Sequence, residues 1–575
     1  MEKRLALAFM ITAVLLIVWQ TFFPPIPPQP ARPRVENVAP AAAPAAAAAP
    51  GTAPAAAPAT ALPPAQTVAV RSPLYEYRFS TRGAALTGAE LLGYPSYVQR
   101  NGHVQLVPRG ATDVLSGSAV SAARTVDLRT VQFTPSAPRL DVRAGGPAQT
   151  LTFTGTQNGA PVAEIVYTFH PDNFAVDVRG RLLGMGGAAT LYTSLGTGLA
   201  PHDAKEHGTS QELAFVGWNG RRVEREYLKD TEAADTIAGP LSWAGIKDRY
   251  FLMALLPQKT AFTRLVATDR GDERYSVGGE AMVSPRAAGV VAMPVGADGT
   301  FAYRAYLGPL EHERLVAMGS QLEEVNPYGY RWLRPVVRPI AAVVLWSLRE
   351  LHDNLGLAYG WVLVVFGVLV RLVTWPLNAR AMRSQMKNMA VQPVLQERMK
   401  ELQKKYADDP RRQQQEMMKM YQELGVNPFS MMSGCLPMLI PMPVLITLFF
   451  VFQGAIEFRG ASFAWLPDLS LRDPLYLLPV LLVVSMFALQ WISTKMSGMP
   501  DNPQTKMMLY TMPLMMGIFF WLMPSGLNLY YVSSNIASLP QQLMIARERR
   551  VATQEQKVKD AVKPKRSGTA KPSRR

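Results

Sequence analysis

Arg371 is the residue whose surroundings most demand a chemical explanation. It stands in the run Trp361 to Trp375, whose other members are apolar except for Thr374. A charge held in a bilayer costs at least about 2.5–3.5 kcal/mol on insertion scales, so it has to meet water, a partner or an interface. Two readings stand. The arginine is about two turns from one end of the run, and its stem could carry the guanidinium to the headgroups. Alternatively it faces a water-filled groove that would attract acidic or polar segments of another chain. His202, Asp203 and His207 form a loose metal-like group, but their spacing matches no strong ligand pattern. The sequence has no phosphate-binding Gly-Lys-Ser/Thr loop, no His-Glu-x-x-His and no Gly-x-Ser-x-Gly. No enzyme and no cofactor is therefore expected. Any work has to draw on binding energy, translation or the membrane potential.

The elements that must position Arg371 are uneven along the chain. With 575 residues it is too long for one compact domain. Lys3 and Arg4 precede an almost wholly apolar run, Leu5 to Phe23, about the length of a span. Pro24-Pro25-Ile26-Pro27-Pro28 follows and is a poor cleavage site, so residues 1–23 read as an uncleaved anchor with a cytoplasmic N-terminus. Residues 24–66 are Pro- and Ala-rich. The prolines interrupt each alanine run, and a semi-extended periplasmic linker is expected.

Residues 67–328 alternate apolar and polar positions at Tyr75, Tyr77 and Phe79, at Ile165, Tyr167 and Phe169, at Phe174, Val176 and Val178, and at Phe301, Tyr303 and Ala305. That period predicts half-buried strands in a large antiparallel β-sandwich. Residues 329–352 mix Trp332, Val336, Ile340, Val344 and Leu348 with Arg331, Arg334, Arg338 and Arg349. They read as an interfacial amphipathic helix on the outer face.

Past residue 353 the sequence predicts a polytopic core of five spans, near 357–377, 432–452, 475–492, 507–523 and 527–545. With the anchor that makes six. Lysine and arginine crowd the 380–430 loop and the tail after Ala546, whereas 457–474 holds only Arg459 and Arg472. The bias puts that loop and the C-terminus in the cytoplasm and the β-domain in the periplasm. Net charge is +16, which suits phosphate-rich partners such as anionic lipid or RNA. The single cysteine, Cys435, excludes an intrachain disulfide and reads as a small packing residue.

The 380–430 loop has helical spacing of its own. Met382, Met386, Met389, then Leu395, Met399, Leu402 and Tyr406 recur at helical spacing, and Asp409-Pro410 starts a second helix. This is a helical hairpin, and its methionines read either as plain packing or as an adaptable docking surface. Pro437, Pro441, Pro443 and Pro513 fall within predicted spans, where irregular helices are tolerated next to a cavity. The basic tail 547–575 is expected to be disordered.

These features resemble a known family. Val370-Arg371, Trp375-Pro376-Leu377, Tyr421-Gln422-Glu423, Val426-Asn427-Pro428, Cys435-Leu436-Pro437 and Pro524-Ser525-Gly526-Leu527 through Tyr530-Tyr531 are similar to the YidC insertases of Gram-negative bacteria. Phe79-Ser80-Thr81-Arg82-Gly83-Ala84 and Tyr306-Leu307-Gly308-Pro309 resemble the periplasmic β-supersandwich of that family. The resemblance implies a groove open to the cytoplasm and lipid. In it Arg371 would be the groove arginine, and Phe519 and Tyr531, with Leu445 and Leu482, would line the slide taken by client segments. Relatives often carry a hydroxyl one turn before the arginine. Here Gly367 stands there, which implies a slightly wider groove. The implied partners are nascent membrane proteins, the Sec translocon, the ribosome and signal recognition particle pathway, and the phospholipid bilayer.

Two other classes fit parts of the chain. An intramembrane arginine with broken helices also suits a solute transporter, although no second charge pairs with Arg371. A membrane-tethered carbohydrate-binding protein would use the β-domain, which shows no convincing paired carboxylates.

Overall fold

The computed structural model describes residues 64–99, 102–203, 212–231, 234–277, 280–326, 334–406, 409–423, 442–496 and 503–562. The predicted anchor 1–23, His207, Cys435 and the prolines at 437 and 441 lie outside them.

From Thr67 to Pro309 the chain forms sheets of five, nine and six strands. Pairing is antiparallel throughout these sheets except where Thr67–Arg71 meets Arg139–Asp141 in parallel. The alternation in the sequence becomes a buried face and an outer face. Tyr75, Tyr77 and Phe79 point inward from the strand Tyr75–Ser80 of the five-stranded sheet. Ile165, Tyr167 and Phe169 do so from Ala160–Phe169 of the nine-stranded sheet. Period-two patterning puts every second side chain on one face, so the two inner faces meet ring to ring. Phe79 lies 4.7 Å from Tyr167 and 5.8 Å from Phe169, ring centre to ring centre. The buried tyrosines keep their hydroxyls satisfied: Tyr167 donates to the Ala84 carbonyl and Tyr77 to the Leu307 carbonyl. The six-stranded sheet closes on the same core where Phe215 fills the space over Gly289.

Helices dominate the remainder. They are α1 (His312–Met318), α2 (Arg334–Leu355), α3 (Tyr359–Lys405), α4 (Pro410–Glu423), α5 (Met442–Gly454), α6 (Leu477–Met496), α7 (Pro503–Trp521) and α8 (Ser525–Val562). Helix α3 runs for 47 residues. At 1.5 Å per residue that is about 70 Å, more than twice the hydrocarbon thickness of a bilayer. One continuous helix therefore joins the apolar run containing Arg371 to the first arm of the hairpin. Asp409 accepts the backbone N–H of Arg412 and so caps α4. Basic residues 547–562 continue α8 where the sequence reading expects disorder. Good helix formers and the absence of proline between 541 and 563 let the helix propagate.

Two helical stretches, Tyr359–Pro376 and Leu477–Thr494, are long and apolar enough to cross a membrane. Val444–Gly454 and Leu509–Trp521 are shorter apolar helices. Much of the predicted 432–452 span lies outside the described residues, and polar side chains thread the predicted 527–545 span. These helices bury few of their side chains and turn large apolar ones outward. Val373 is 77% exposed, and Leu372, Val484, Leu514 and Ile518 are also exposed. Such a surface is stable in lipid and a liability in water.

Replacing Phe79 by Ala leaves a cavity at the centre of the sandwich. It should cost about 3–5 kcal/mol, read as faster hydrogen exchange across the Tyr75–Ser80 strand of the full-length protein. Unchanged exchange would show that this ring is not a keystone of the core.

Candidate functional site

Arg371 lies in the first third of α3, the helix against which α8 packs. It is half-buried, and its Nε has no hydrogen-bond partner among the described residues. The guanidinium is within electrostatic reach of the Tyr530 hydroxyl on α8.

Polar side chains that the sequence reading did not single out join α3, α6 and α8. Asn535 donates to Ser485 Oγ on α6 at 3.0 Å. Gln541, fully buried, donates to the Trp375 carbonyl on α3 at 2.9 Å. Asn378 donates to Thr374 Oγ1 one turn back, at 3.3 Å. Gln541 Oε1, Asn528 Oδ1 and Thr494 Oγ1 are buried without a hydrogen-bond partner among the described residues. A buried polar atom left unpaired costs about 1–3 kcal/mol, so these atoms call for water or a visiting polar group. The signal in the sequence was the recurrence of Asn535, Ser538 and Gln541 at three-residue spacing in a largely apolar segment.

The apolar residues expected to line a path fall on four helices. Phe519 on α7 and Tyr531 on α8 are half-buried and join through Phe520, whose ring lies 5.5 Å from Phe519 and 4.7 Å from Tyr531. Tyr530 extends the chain of rings to Phe366 on α3 at 5.8 Å and Phe452 on α5 at 6.4 Å. Leu482 on α6 is wholly buried in the same cluster. Leu445, in the first turns of α5, is half-buried and is not among the residues forming that cluster.

Gly367 corrects the expectation of a wider groove. A Cβ at that position would come within 2.6 Å of Ser533 Oγ and 3.1 Å of the Tyr530 carbonyl. The missing side chain is used for close approach of α3 and α8, and the hydroxyl at this level comes from α8. Ser533 Oγ is itself held by the Leu529 and Tyr530 carbonyls, at 2.8 and 2.9 Å.

His202 and Asp203, the metal-like pair of the sequence, lie far along the chain from Arg371 and pair with other groups. His202 Nε2 is 3.0 Å from Asp248 Oδ2, and Asp203 accepts from Arg459 Nε at 2.8 Å.

The contact at Gly367 makes an immediate prediction. Gly367→Ala should destabilise the helical core by about 1–3 kcal/mol through overpacking. Adding Ser533→Ala should recover part of that loss, read from unfolding of the protein in lipid or detergent. A single variant as stable as the unsubstituted chain would contradict the close approach.

Comparison with known proteins covers both parts of the chain. Residues 67–343 match the YidC periplasmic domain, and residues 350–553 match the family described as 60Kd inner membrane protein. The membrane protein insertase YidC of Syntrophus aciditrophicus (strain SB) is 30% identical over 573 residues, covering 95% of this chain and 100% of that one. The YidC of Dechloromonas aromatica (strain RCB) is 31% identical over 573 residues, covering 95% and 97%. Among solved structures, YidC from Thermotoga maritima matches over 83% of this chain and 99% of that one at 14% identity, with a TM-score of 0.29. With 30% identity across the whole length of a relative, from the β-domain through the helical core, the chain belongs to the YidC family of membrane protein insertases.

Proposed function

We propose that this chain moves client segments from the cytoplasm into the bacterial inner membrane through a wet groove among α3, α6 and α8. Membership of the family makes it an inner-membrane insertase. The route, the topology and the roles of single residues are the proposal. The observation that carries it is Arg371, whose Nε has no hydrogen-bond partner among the described residues, set in helices whose outward faces are apolar and which meet through Asn535–Ser485 and Gln541–Trp375. A lone guanidinium that met only lipid would be expelled or would snorkel. One set among helices that meet through polar side chains has a polar compartment to face.

In this reading the N-terminal anchor 1–23 and the five core spans of 353–546 make six crossings. Both termini are cytoplasmic, and the linker 24–66 and β-domain 67–328 are periplasmic. Helix α2, within the segment 329–352, would lie in the outer interface. Its apolar side packs on the core, while Val336, Val343 and Trp346 are exposed to lipid. At that level Trp361, Trp465, Tyr476 and Trp521 form a partly exposed aromatic belt. At the other end α3 and α4 would carry the hairpin 380–430 into the cytoplasm, and the basic residues beyond 546 would face anionic lipid or ribosomal RNA.

Physically, the action is chaperoned partitioning. A client's hydrophilic tail would enter beside Arg371, drawn by the positive charge and relieved of the cost of meeting hydrocarbon. Its apolar segment would pass Phe519 and Tyr531, with Leu445 and Leu482 nearby, and leave into lipid. Burial of about 20 apolar residues, with the membrane potential, supplies the drive. Nascent membrane proteins are the clients. The Sec translocon and the ribosome and signal recognition particle pathway are the proposed collaborators on larger ones.

Reconstitution tests this. In liposomes, a single-span client with a short acidic N-tail should gain protease protection of that tail. Arg371→Ala should reduce protection about tenfold, the factor carried by about 1.4 kcal/mol, while Arg371→Lys should retain most of it. Full protection with Arg371→Ala would reduce the arginine to a snorkelling residue. In a Cys435→Ser background, a cysteine placed at Lys404 should react with an impermeant reagent only from the cytoplasmic side, and one at Ser462 only from the other. The reverse pattern would overturn the topology.

A further inference from the structure

The loop between α5 and α6 touches the outer ends of most of the core helices. Phe463 fills the space over Gly360 and meets the Trp361 ring edge-on at 5.3 Å, both at the start of α3. Phe458 stacks on Phe452 of α5 at 4.8 Å. The Leu469 and Leu471 carbonyls accept from the N–H groups of Gly526 and Ser525, which open α8. Asp473 accepts from the N–H of Leu478 at 2.7 Å, at the start of α6. This loop thus closes the helices at the end opposite the hairpin.

The same loop reaches into the β-domain through one side chain. Arg459 donates through Nε to Asp203 and through Nη1 to the Pro95 carbonyl, at 2.8 and 3.0 Å. The side chains of Arg459 and Asp203 are 1% and 0% exposed. The rings of Tyr97, Phe251 and Tyr250 surround the guanidinium at 4.7, 5.4 and 6.0 Å. Gly460, at φ +74°, lets the Tyr97 hydroxyl approach to 2.3 Å from where a Cβ would be. Behind Asp203 stands His202, its Nδ1 on the Ala200 carbonyl, its Nε2 on Asp248, and its ring edge-on to Phe251 at 4.7 Å. With the imidazole neutral, two buried carboxylates face one guanidinium. With it protonated, the charges balance.

We propose that Arg459 is a positioning residue that keys the outer loop of the insertase core into the β-domain, and that a proton on His202 holds the key in place. The key goes beyond the insertion reading and depends on it only for its consequence, a firmly closed outer end of the groove. The groups facing His202 are Asp203 beside it, Asp248 and Tyr250 from the turn and start of the Phe251–Pro257 strand, and Arg459 from the loop. Asp468 of the loop and Tyr275 of the six-stranded sheet couple to the cluster more remotely. Burial disfavours the charged ring, but Asp248 and then Asp203 outweigh it and raise the His202 pKa above 6.5. Burial also opposes the charge on Asp248, and His202 overcomes this and lowers its pKa. A raised histidine contributes stability that is complete below about 6.5, its unfolded value, and is lost as pH rises through the folded value.

Hydrogen exchange of the full-length protein in lipid nanodiscs, without client, tests the key separately from insertion. After correction for intrinsic rates, the amides of Gly460, Ser470, Ser525 and Gly526 should be better protected near pH 6 than near pH 9, the direction a raised histidine dictates. Arg459→Ala and Asp203→Asn should lose that protection at both pH values while the Tyr75–Ser80 strand keeps its own. Arg459→Lys should retain part of it. His202→Gln should give low, pH-independent protection. Protection equal to the unsubstituted chain in Arg459→Ala, or pH dependence surviving His202→Gln, would overturn the proposal. If Arg459→Ala fails to fold, the pH series and His202→Gln decide the matter alone.

Discussion

Lipid offers no hydrogen bonds, and much of this architecture follows from that constraint. Around Arg371 the constraint is met from within. The helices present Leu, Val, Ile and aromatic side chains outward and turn Asn535 toward Ser485 and Gln541 toward the Trp375 carbonyl. Gln541 Oε1 is left without a partner among the described residues, and on the proposed reading it belongs to a compartment for visiting polar groups. A fully satisfied network would be more stable and would have nothing to offer a client segment. Proline is tolerated in these helices for a related reason, since a freed carbonyl beside a polar compartment is not stranded.

The outer end answers the same constraint differently. There buried charges meet one another and helix ends: Arg459 with Asp203, His202 with Asp248, Asp473 with the start of α6. Breaking a buried ion pair from one side typically costs about 3–5 kcal/mol because the remaining charge stays unpaired. A loop tied down in that way gives the helices a rigid outer boundary. On the proposed reading, the chain would pair a firmly closed end with an adaptable one, as one-sided entry requires.

Much of this was legible before any coordinates. The period-two segments around Tyr77, Tyr167 and Tyr303 are strands because alternation on a half-buried sheet admits few other readings. Arg371 stood out because charge inside an apolar run is expensive. Other features were hidden for physical reasons. The fusion of the Arg371 run with the first hairpin arm into one helix runs through Pro376 and Pro393, residues that ordinarily kink or end a helix, so no local signal announces it. The continuation of α8 to Val562 depends on propensity alone, which polarity masks. Gly367 suggested space, but a glycine on a helix face equally permits a neighbour to come close, and only the position of Ser533 decides between them. The partnership of His202 and Asp203 with Arg459 spans 256 residues of sequence and has no local signature.

The central claim is that a client's apolar segment leaves the polar compartment along the wall of rings on α7 and α8. Site-specific photocrosslinking during client synthesis tests it most directly. A photoreactive residue at Tyr531 or Phe519 should capture a stalled client's apolar segment, while the same residue at Trp346 on the outer interface should capture lipid and little client. Capture at Trp346 with none at Tyr531 or Phe519 would contradict the account.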